Sequence, residues 1–282
     1  MDFGVLMFPT DQAIQPMELA KAVEDRGFES LWFPEHSHIP VSRETPWGGF
    51  KGMPPLPEEY KRTHDQFVAL AACAAVTKKL KLGSGITLVA QRDPLWTAKE
   101  VASLDMLSGG RFLFGIGYGW NREEMRNHKL AFKDRRAVLR ENILLMKELW
   151  TKDEASFEGT HVKVEKSWAW PKPVTKPHPP IILGGAAGPK TYPDLIEFCD
   201  GWMPIGGLHD VEGGLKGMRA AFEAAGRDIS TLDLGVFFPM GFDATQVPAL
   251  ADLGVKRIVL PLPPKPAAEV LPILDGYAKL MG

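Results

Sequence analysis

The sequence predicts an α/β fold: a closed (β/α)₈ barrel of the TIM type, with a long excursion between its fourth and fifth strands. Three observations predict it. Short continuous apolar runs alternate eight times with helix-period segments over 282 residues, at about 35 residues per unit, the spacing of such barrels. The alternation continues to the C-terminus and leaves no stretch for a second unit, so residues 1–282 read as a single domain. No strand-to-helix turn carries the glycine fingerprint of an open dinucleotide-binding sheet.

Residues 3–8 read as the first strand, followed by a helix that Pro16 starts, Leu19, Ala20 and Val23 face inward, and Gly27 stops. The second strand spans residues 30–33. Residues 39–63 form a long loop rich in proline, glycine and aromatic residues, including Thr45-Pro-Trp-Gly-Gly-Phe50, and loops of this length inside compact domains are usually functional or disordered. Phe67, Leu70, Ala71 and Ala74 share one helical face. Residues 80–88 read as strand three, 97–107 as a helix ending at Ser108-Gly-Gly110, and 111–116 as strand four. The excursion covers roughly residues 119–180; its clearest element is a helix with Leu139, Ile143, Met146 and Trp150 on one side. Strands five to eight read as residues 180–183, 200–204, 232–238 and 257–260. Between them, Leu215, Met218, Phe222 and Ala225 share one helical face, and Val247, Leu250 and Ala251 another.

Composition removes several functions. With 33 Lys+Arg against 35 Asp+Glu, the chain has no basic footprint for nucleic acid or anionic membranes. Its longest near-continuous apolar run, residues 67–76, is about half a membrane span, and the N-terminus MDFGVLMF lacks a cationic region and a cleavage site. A cytoplasmic protein is expected, with no membrane partner. The two cysteines, Cys73 and Cys199, lie in apolar surroundings and build neither a disulfide framework nor a zinc site.

In a barrel of this kind the chemistry lies where strands end. After strand two comes Phe33-Pro-Glu35-His36-Ser-His38, which offers an acid and an imidazole for proton or hydride chemistry; the same residues also serve as structural caps of a strand end. His36 and His38 share a face in extended chain, but among the later strand ends only His209-Asp210 offers further ligands, so no metal is expected. Strand three contains Gly83-Ser-Gly85, a pattern of bulges, barrel kinks and close backbone approach. Strand four runs into Gly115-Ile-Gly117-Tyr-Gly119-Trp120, and strand five into Gly184-Gly-Ala-Ala-Gly-Pro189-Lys-Thr191, which has the small residues, cation and hydroxyl of a phosphate cradle.

These motifs, with Gly27-Phe-Glu-Ser-Leu-Trp32, Gln91-Arg-Asp-Pro94, 98–105, Leu107-Ser-Gly-Gly-Arg111 and Asp200-Gly-Trp202, resemble in order the bacterial luciferase-like superfamily. The chain looks most like its coenzyme F420-dependent oxidoreductases. The resemblance covers nearly the whole chain and implies a barrel that holds a flavin-type ring at its C-terminal mouth. By matching position, Glu35 and His36 would touch the deazaflavin ring, with His36 the catalytic proton donor. Gly85 and Ile86 would form a strand-three bulge, often with a non-proline cis peptide, beneath one ring face. Tyr118, Gly119, Trp120 and Glu123 would approach the cofactor, and Ala187, Gly188, Lys190 and Thr191 its phosphate. Sugar-phosphate dehydrogenases of this group carry a catalytic Glu where Trp120 stands, which counts against sugar-phosphate oxidation and for an apolar substrate, with Trp47 and Phe50 closing over it.

The expected activity is hydride transfer between the deazaflavin and a small carbonyl, alcohol or activated alkene. The alternatives are an FMN-dependent monooxygenase using reduced flavin and oxygen, a non-catalytic flavin-binding protein, and a metal-dependent barrel hydrolase. Expected partners are the small-molecule substrate, a reductase supplying reduced cofactor, and a second copy in a homodimer.

Overall fold

The computed structural model describes residues 1–238 and 242–281. Along the chain, β1 (Asp2–Leu6) leads to α1 (Pro16–Asp25), β2 (Ser30–Phe33), α2 (Gln66–Val76), β3 (Lys81–Ser84), α3 (Pro94–Ser108) and β4 (Phe112–Ile116). The excursion follows as α4 (Arg122–Asn127), α5 (Arg135–Thr151) and a hairpin of β5 (Ala155–Glu158) and β6 (Lys163–Ser167). The barrel resumes with β7 (Ile181–Gly184), α6 (Tyr192–Glu197), β8 (Gly201–Met203), α7 (Val211–Ala224), β9 (Asp233–Phe237), α8 (Val247–Asp252), β10 (Arg257–Pro261) and α9 (Ala267–Ala278). The eight strands other than β5 and β6 are parallel, and pairing of β1 with both β2 and β10 closes the barrel. This is the predicted architecture.

Two differences from the sequence expectation have local causes. Strand three ends at Ser84 instead of 88: the Gly85 N–H turns to the Phe33 carbonyl, the Gly85–Ile86 peptide is cis, and only an isolated bridge, Thr87 to Ile116, continues the pairing. The β5–β6 hairpin has no counterpart in the sequence reading. Its strands are mostly exposed and polar, so they lack the apolar signal that reveals barrel strands. Its turn is anchored by a residue far away in sequence: the Glu141 carboxylate on α5 accepts the N–H groups of Thr160, His161 and Val162 at 3.0, 2.7 and 3.2 Å.

Strand periodicity divides the core into two layers. Leu31 and Phe33 face the helices, whereas Trp32 between them turns inward with Leu6, Leu113, Ile182, Met203 and Val259. Trp32 is wholly buried, and its indole N–H donates to the Ser30 hydroxyl at 2.8 Å. Its ring leaves no room on the neighbouring strand: a Cβ at position 83 would lie 2.1 Å from Trp32 Cε3, so Gly83 is a packing requirement.

Below Trp32, at the N-terminal end of the barrel, Arg257 is 3% exposed. Its Nε and Nη2 each donate to a different Glu29 oxygen at 2.8 Å, and Nη1 donates to Asp233 at 2.9 Å. Burial opposes ionisation of Glu29, yet the Arg257 guanidinium holds its carboxyl at about 2. A depressed carboxylate stabilises fully above its unfolded value, near 4.5, and that stabilisation disappears as pH falls through about 2. Arg257→Met leaves the half-buried Glu29 and Asp233 carboxylates without their guanidinium, with only Lys81 still paired to Glu29 at 2.9 Å, and is expected to cost on the order of 2 kcal/mol at neutral pH. Urea unfolding followed from pH 6 to pH 2 should then lose less stability on acidification than in the parent protein. An acid dependence equal to the parent's would remove this role for Arg257.

Candidate active site

The floor of the C-terminal mouth is residues 85–88, held from three sides. The Gly85 N–H donates to the Phe33 carbonyl at 2.7 Å, and the Thr87 N–H to the Gly115 carbonyl at 2.8 Å. Gln66, fully buried at the start of α2, donates to the Phe33 carbonyl at 3.2 Å and accepts from the Thr87 hydroxyl. The Ile86 side chain lies across the ends of β4 and β7: a Cβ at Gly117 would fall 1.9 Å from Ile86 Cδ1, and one at Gly184 2.8 Å from its Cγ2. The glycines at the ends of β4 and β7 thus admit a side chain of their own chain, and the result is an apolar shelf facing the mouth.

Glu35 braces this shelf. One oxygen accepts the Leu88 N–H at 2.6 Å and the other pairs with Arg92, which also donates to Glu100 at 2.6 Å. Burial pushes the Glu35 carboxyl above the usual range, against the pull of Arg92. Both of its oxygens are therefore committed to the frame around the site.

His36 is in a different situation. Its Nδ1 lies 2.8 Å from Glu124 Oε2, with the side chains only 6% and 1% exposed. Nε2 makes no hydrogen bond among the described residues and is not one of the buried unpartnered atoms, so it remains accessible from the mouth. Around it stands an aromatic wall. Tyr60 lies 5.1 Å and Trp120 5.8 Å from the His36 ring, and Tyr60 also packs on Phe8 at 4.6 Å and Trp47 at 6.0 Å. His38 turns away, its two ring nitrogens meeting Ser37 and Asn127. Among the described residues no group of three or more His, Cys, Asp or Glu side chains gathers as a metal site.

Trp47 and Tyr60 arrive on the long loop, which is fastened by residues on the opposite strand end. Glu123 Oε1 accepts the N–H groups of Glu44 and Thr45 at 3.0 and 3.2 Å. These bonds, opposed by desolvation, lower its carboxyl below the ordinary range. Glu123 thus points its carboxylate at the loop. Phe50 is 49% exposed and has no ring partner among the described residues, while Trp47 belongs to the wall.

The other side of the mouth is cationic. Arg136 stacks over the Tyr118 ring at 3.7 Å and donates to the Lys190 carbonyl at 2.9 Å, while Arg135 and Arg122 stack on Phe132 at 3.6 and 4.3 Å. Arg122 and Arg135 have no carboxylate partner among the described residues, and Arg135 Nε is buried without an acceptor. Burial and its two arginine neighbours lower the Arg135 guanidinium from its usual value. Tyr118 donates to Asp194, and burial together with that carboxylate raises the phenol. In the adjoining loop the Thr191 N–H and hydroxyl are consumed by the Gly188 and Ala186 carbonyls. The N–H groups of Ala187, Gly188 and Lys190 have no acceptor among the described residues, and space beside Gly188 is open. Free backbone donors, an exposed lysine and three guanidiniums fit the phosphate of a cofactor whose ring would lie on the Ile86 shelf.

Sequence reasoning missed Tyr60, Glu124 and the three arginines. Arg122 and Arg135 begin α4 and α5, and Arg136 is the second residue of α5. Cations there oppose the helix dipole at about 0.3–1 kcal/mol each, a sign that could have marked them for a ligand. Asn121 and Glu124 have capping-box spacing, which hid the carboxylate's tertiary role. Tyr60 carries no local signal, since only loop closure brings it to His36.

Comparison with known proteins identifies the family and the fold. The family model described as luciferase-like monooxygenase matches residues 1–276. An uncharacterised protein of Mycobacterium tuberculosis is 35% identical, covering 99% of this chain and 98% of its own length. An F420-dependent hydroxymycolic acid dehydrogenase from the same organism is 28% identical over 80% of this chain and 57% of its own. The crystal structure of a monooxygenase from Streptomyces bottropensis superposes with a TM-score of 0.78 at 19% identity, covering 100% of this chain and 98% of that one, a likeness of fold. With the family model spanning almost its full length, the chain belongs to the luciferase-like monooxygenase family.

Proposed function

We propose that the protein is a coenzyme F420-dependent oxidoreductase that moves a hydride between the deazaflavin and a small uncharged alcohol, carbonyl compound or activated alkene. The observation that carries this reading is His36: a buried imidazole with one nitrogen held by Glu124 and the other accessible between an apolar shelf and an aromatic wall. The F420-dependent relative supports the choice of cofactor. So does the cationic rim, which suits an anionic tail.

When bound, a deazaflavin supplies a two-electron hydride donor or acceptor. The shelf at Ile86 and the cationic rim would hold its ring and phosphate. His36 Nε2 would take the hydroxyl proton as an alcohol loses its carbinol hydride, or return a proton to the oxygen in reduction. Phe8, Trp47, Tyr60 and Trp120 exclude water and orient an apolar substrate body. With Trp120 in place of an acid, His36 is the proton-transfer group that the mouth presents.

Fluorescence titration of the purified protein with F420 and, separately, FMN tests the cofactor. F420 binding in the micromolar range or tighter, with FMN at least about tenfold weaker, is expected. The reverse preference would move the case to an oxygen-using flavoenzyme with a reductase partner. Arg136→Gln should weaken F420 binding about tenfold, the value of one charge-assisted contact; unaltered affinity would take Arg136 out of the cofactor site. His36→Ala should lower kcat about 100-fold while leaving the F420 dissociation constant within about twofold. Full turnover in that variant would remove its role in proton transfer.

A further inference from the structure

We propose that Glu124 is the positioning residue of this site: by accepting a hydrogen bond from Nδ1, it fixes the neutral His36 ring in the Nδ1–H tautomer and aims the Nε2 lone pair at the reacting oxygen. The use of the dyad in hydride transfer rests on the function proposed above, but the tautomer does not.

Glu124 occupies the third position of α4, three residues after the N-cap Asn121. In a capping box its carboxylate would return to the Asn121 backbone N–H. Asn121 performs its half of that exchange, its side chain accepting the Glu124 N–H at 3.4 Å. The Glu124 carboxylate instead crosses the mouth to His36, 88 residues earlier in the chain. Its other oxygen is buried with no partner among the described residues. A carboxylate that gives up a local bond and leaves an oxygen unsatisfied loses stability in the free helix, about 1 kcal/mol or more by ordinary hydrogen-bond values. What it gains is control of an imidazole.

The control is stereochemical. A neutral imidazole has one donor and one acceptor nitrogen, and the bond made by one decides the state of the other. A carboxylate at 2.8 Å accepts only, so Nδ1 must carry the proton and Nε2 must present a lone pair. Tyr60 and Trp120 pack against the ring, with centroids at 5.1 and 5.8 Å. The remaining ionisable groups nearby are accounted for: Glu35 is bound by Arg92 and Leu88, Arg43 stacks over Trp120 at 5.8 Å, and His128 meets Ser37. Glu124 is thus the carboxylate that reaches this ring. In alcohol oxidation Nε2 would take the O–H proton, a bound deazaflavin would supply the two-electron acceptor for the carbinol hydride, and the resulting imidazolium would remain paired with the Glu124 carboxylate. In reduction the same Nε2–H returns its proton to the oxygen.

The test reads the tautomer directly in the protein without cofactor. Two-bond ¹H–¹⁵N correlation spectra of imidazole-labelled protein, recorded at about pH 8.5, two units above the ordinary imidazole value, should show His36 as Nδ1–H, with assignment from the His36→Asn variant. Glu124→Gln keeps an acceptor oxygen and should preserve that tautomer. Glu124→Leu removes the acceptor and should shift the ring towards Nε2–H or a mixture. It should also lower kcat with F420 by roughly 10–100-fold, the usual loss for a residue that orients a reacting group, with KM and the F420 dissociation constant within about twofold. An Nε2–H ring in the parent protein, or a spectrum unchanged by Glu124→Leu, overturns the proposal. Circular dichroism identifies a Leu variant that does not fold; Glu124→Gln with a lost Nδ1–H signal then overturns it, and a retained signal supports it. A Nδ1–H spectrum without F420-linked turnover overturns the cofactor reading and supports the dyad.

Discussion

The site depends on how the chain leaves β3. At Gly85 a strand covered on both faces stops pairing in its regular register, and its next four residues become the floor of the mouth. That departure is stabilised by groups from β2, α2 and β4 at once: the Phe33 and Gly115 carbonyls, the Gln66 amide and the Glu35 carboxylate. None of the four groups could be displaced alone without leaving a buried polar group unmatched, at about 1–3 kcal/mol each. Ile86, pressed between positions 117 and 184, then links the floor to both strands that flank the excursion. Floor, imidazole and phosphate rim consequently share one rigid frame.

The second organising element is the first turn of α4. Residues of an α-helix advance by about 100° each, so Arg122, Glu123 and Glu124 leave the helix in three directions. Arg122 joins the cationic rim, Glu123 fastens the long loop, and Glu124 holds His36. A six-residue helix thereby connects the cationic rim, the long loop and the His36 ring, and displacement of its N-terminus would disturb all three together. Sequence variation in the loop itself can alter the wall while this junction keeps the imidazole fixed.

The barrel was legible because buried parallel strands announce themselves as apolar runs and glycine marks close approach. Gly83, Gly85 and Gly117 were visible on that basis, and the chemistry of the strand-two exit followed from Glu35 and His36 standing side by side. What was not legible has a common physical character. Glu123 and Glu124 are adjacent acids at a helix start, where local capping and dipole arguments already account for them, and nothing in their spacing says that one serves a loop and the other an imidazole. The β5–β6 hairpin is pinned by Glu141, and Tyr60 is brought to His36 by closure of residues 39–63. These are tertiary decisions, made by partners tens of residues away. Arg135 and Arg136 are the exception, because placing cations against a helix dipole is a local anomaly that sequence alone displays.

The distribution of charge around the mouth also constrains what can react there. On the loop side the carboxylates are spent, Glu35 on Arg92, Glu123 on backbone N–H groups and Glu124 on His36, while the Arg43 guanidinium over Trp120 has no carboxylate partner among the described residues. On the opposite side the guanidiniums of Arg122 and Arg135 stand without carboxylate partners among the described residues. A ligand with a charged end and a neutral reactive end is therefore oriented before any specific contact forms, its anion drawn to the rim and its apolar part left to the aromatic wall. A cationic substrate body against Trp47, Tyr60 and Trp120, beside the Arg43 guanidinium, would lose hydration with no counter-ion in return, a cost of several kcal/mol, whereas an uncharged one needs a single hydrogen bond, which His36 Nε2 can make. Committed carboxylates and an aromatic wall on one side, with unpaired guanidiniums on the other, thus give one opening a face suited to an uncharged apolar group and a face suited to an anion.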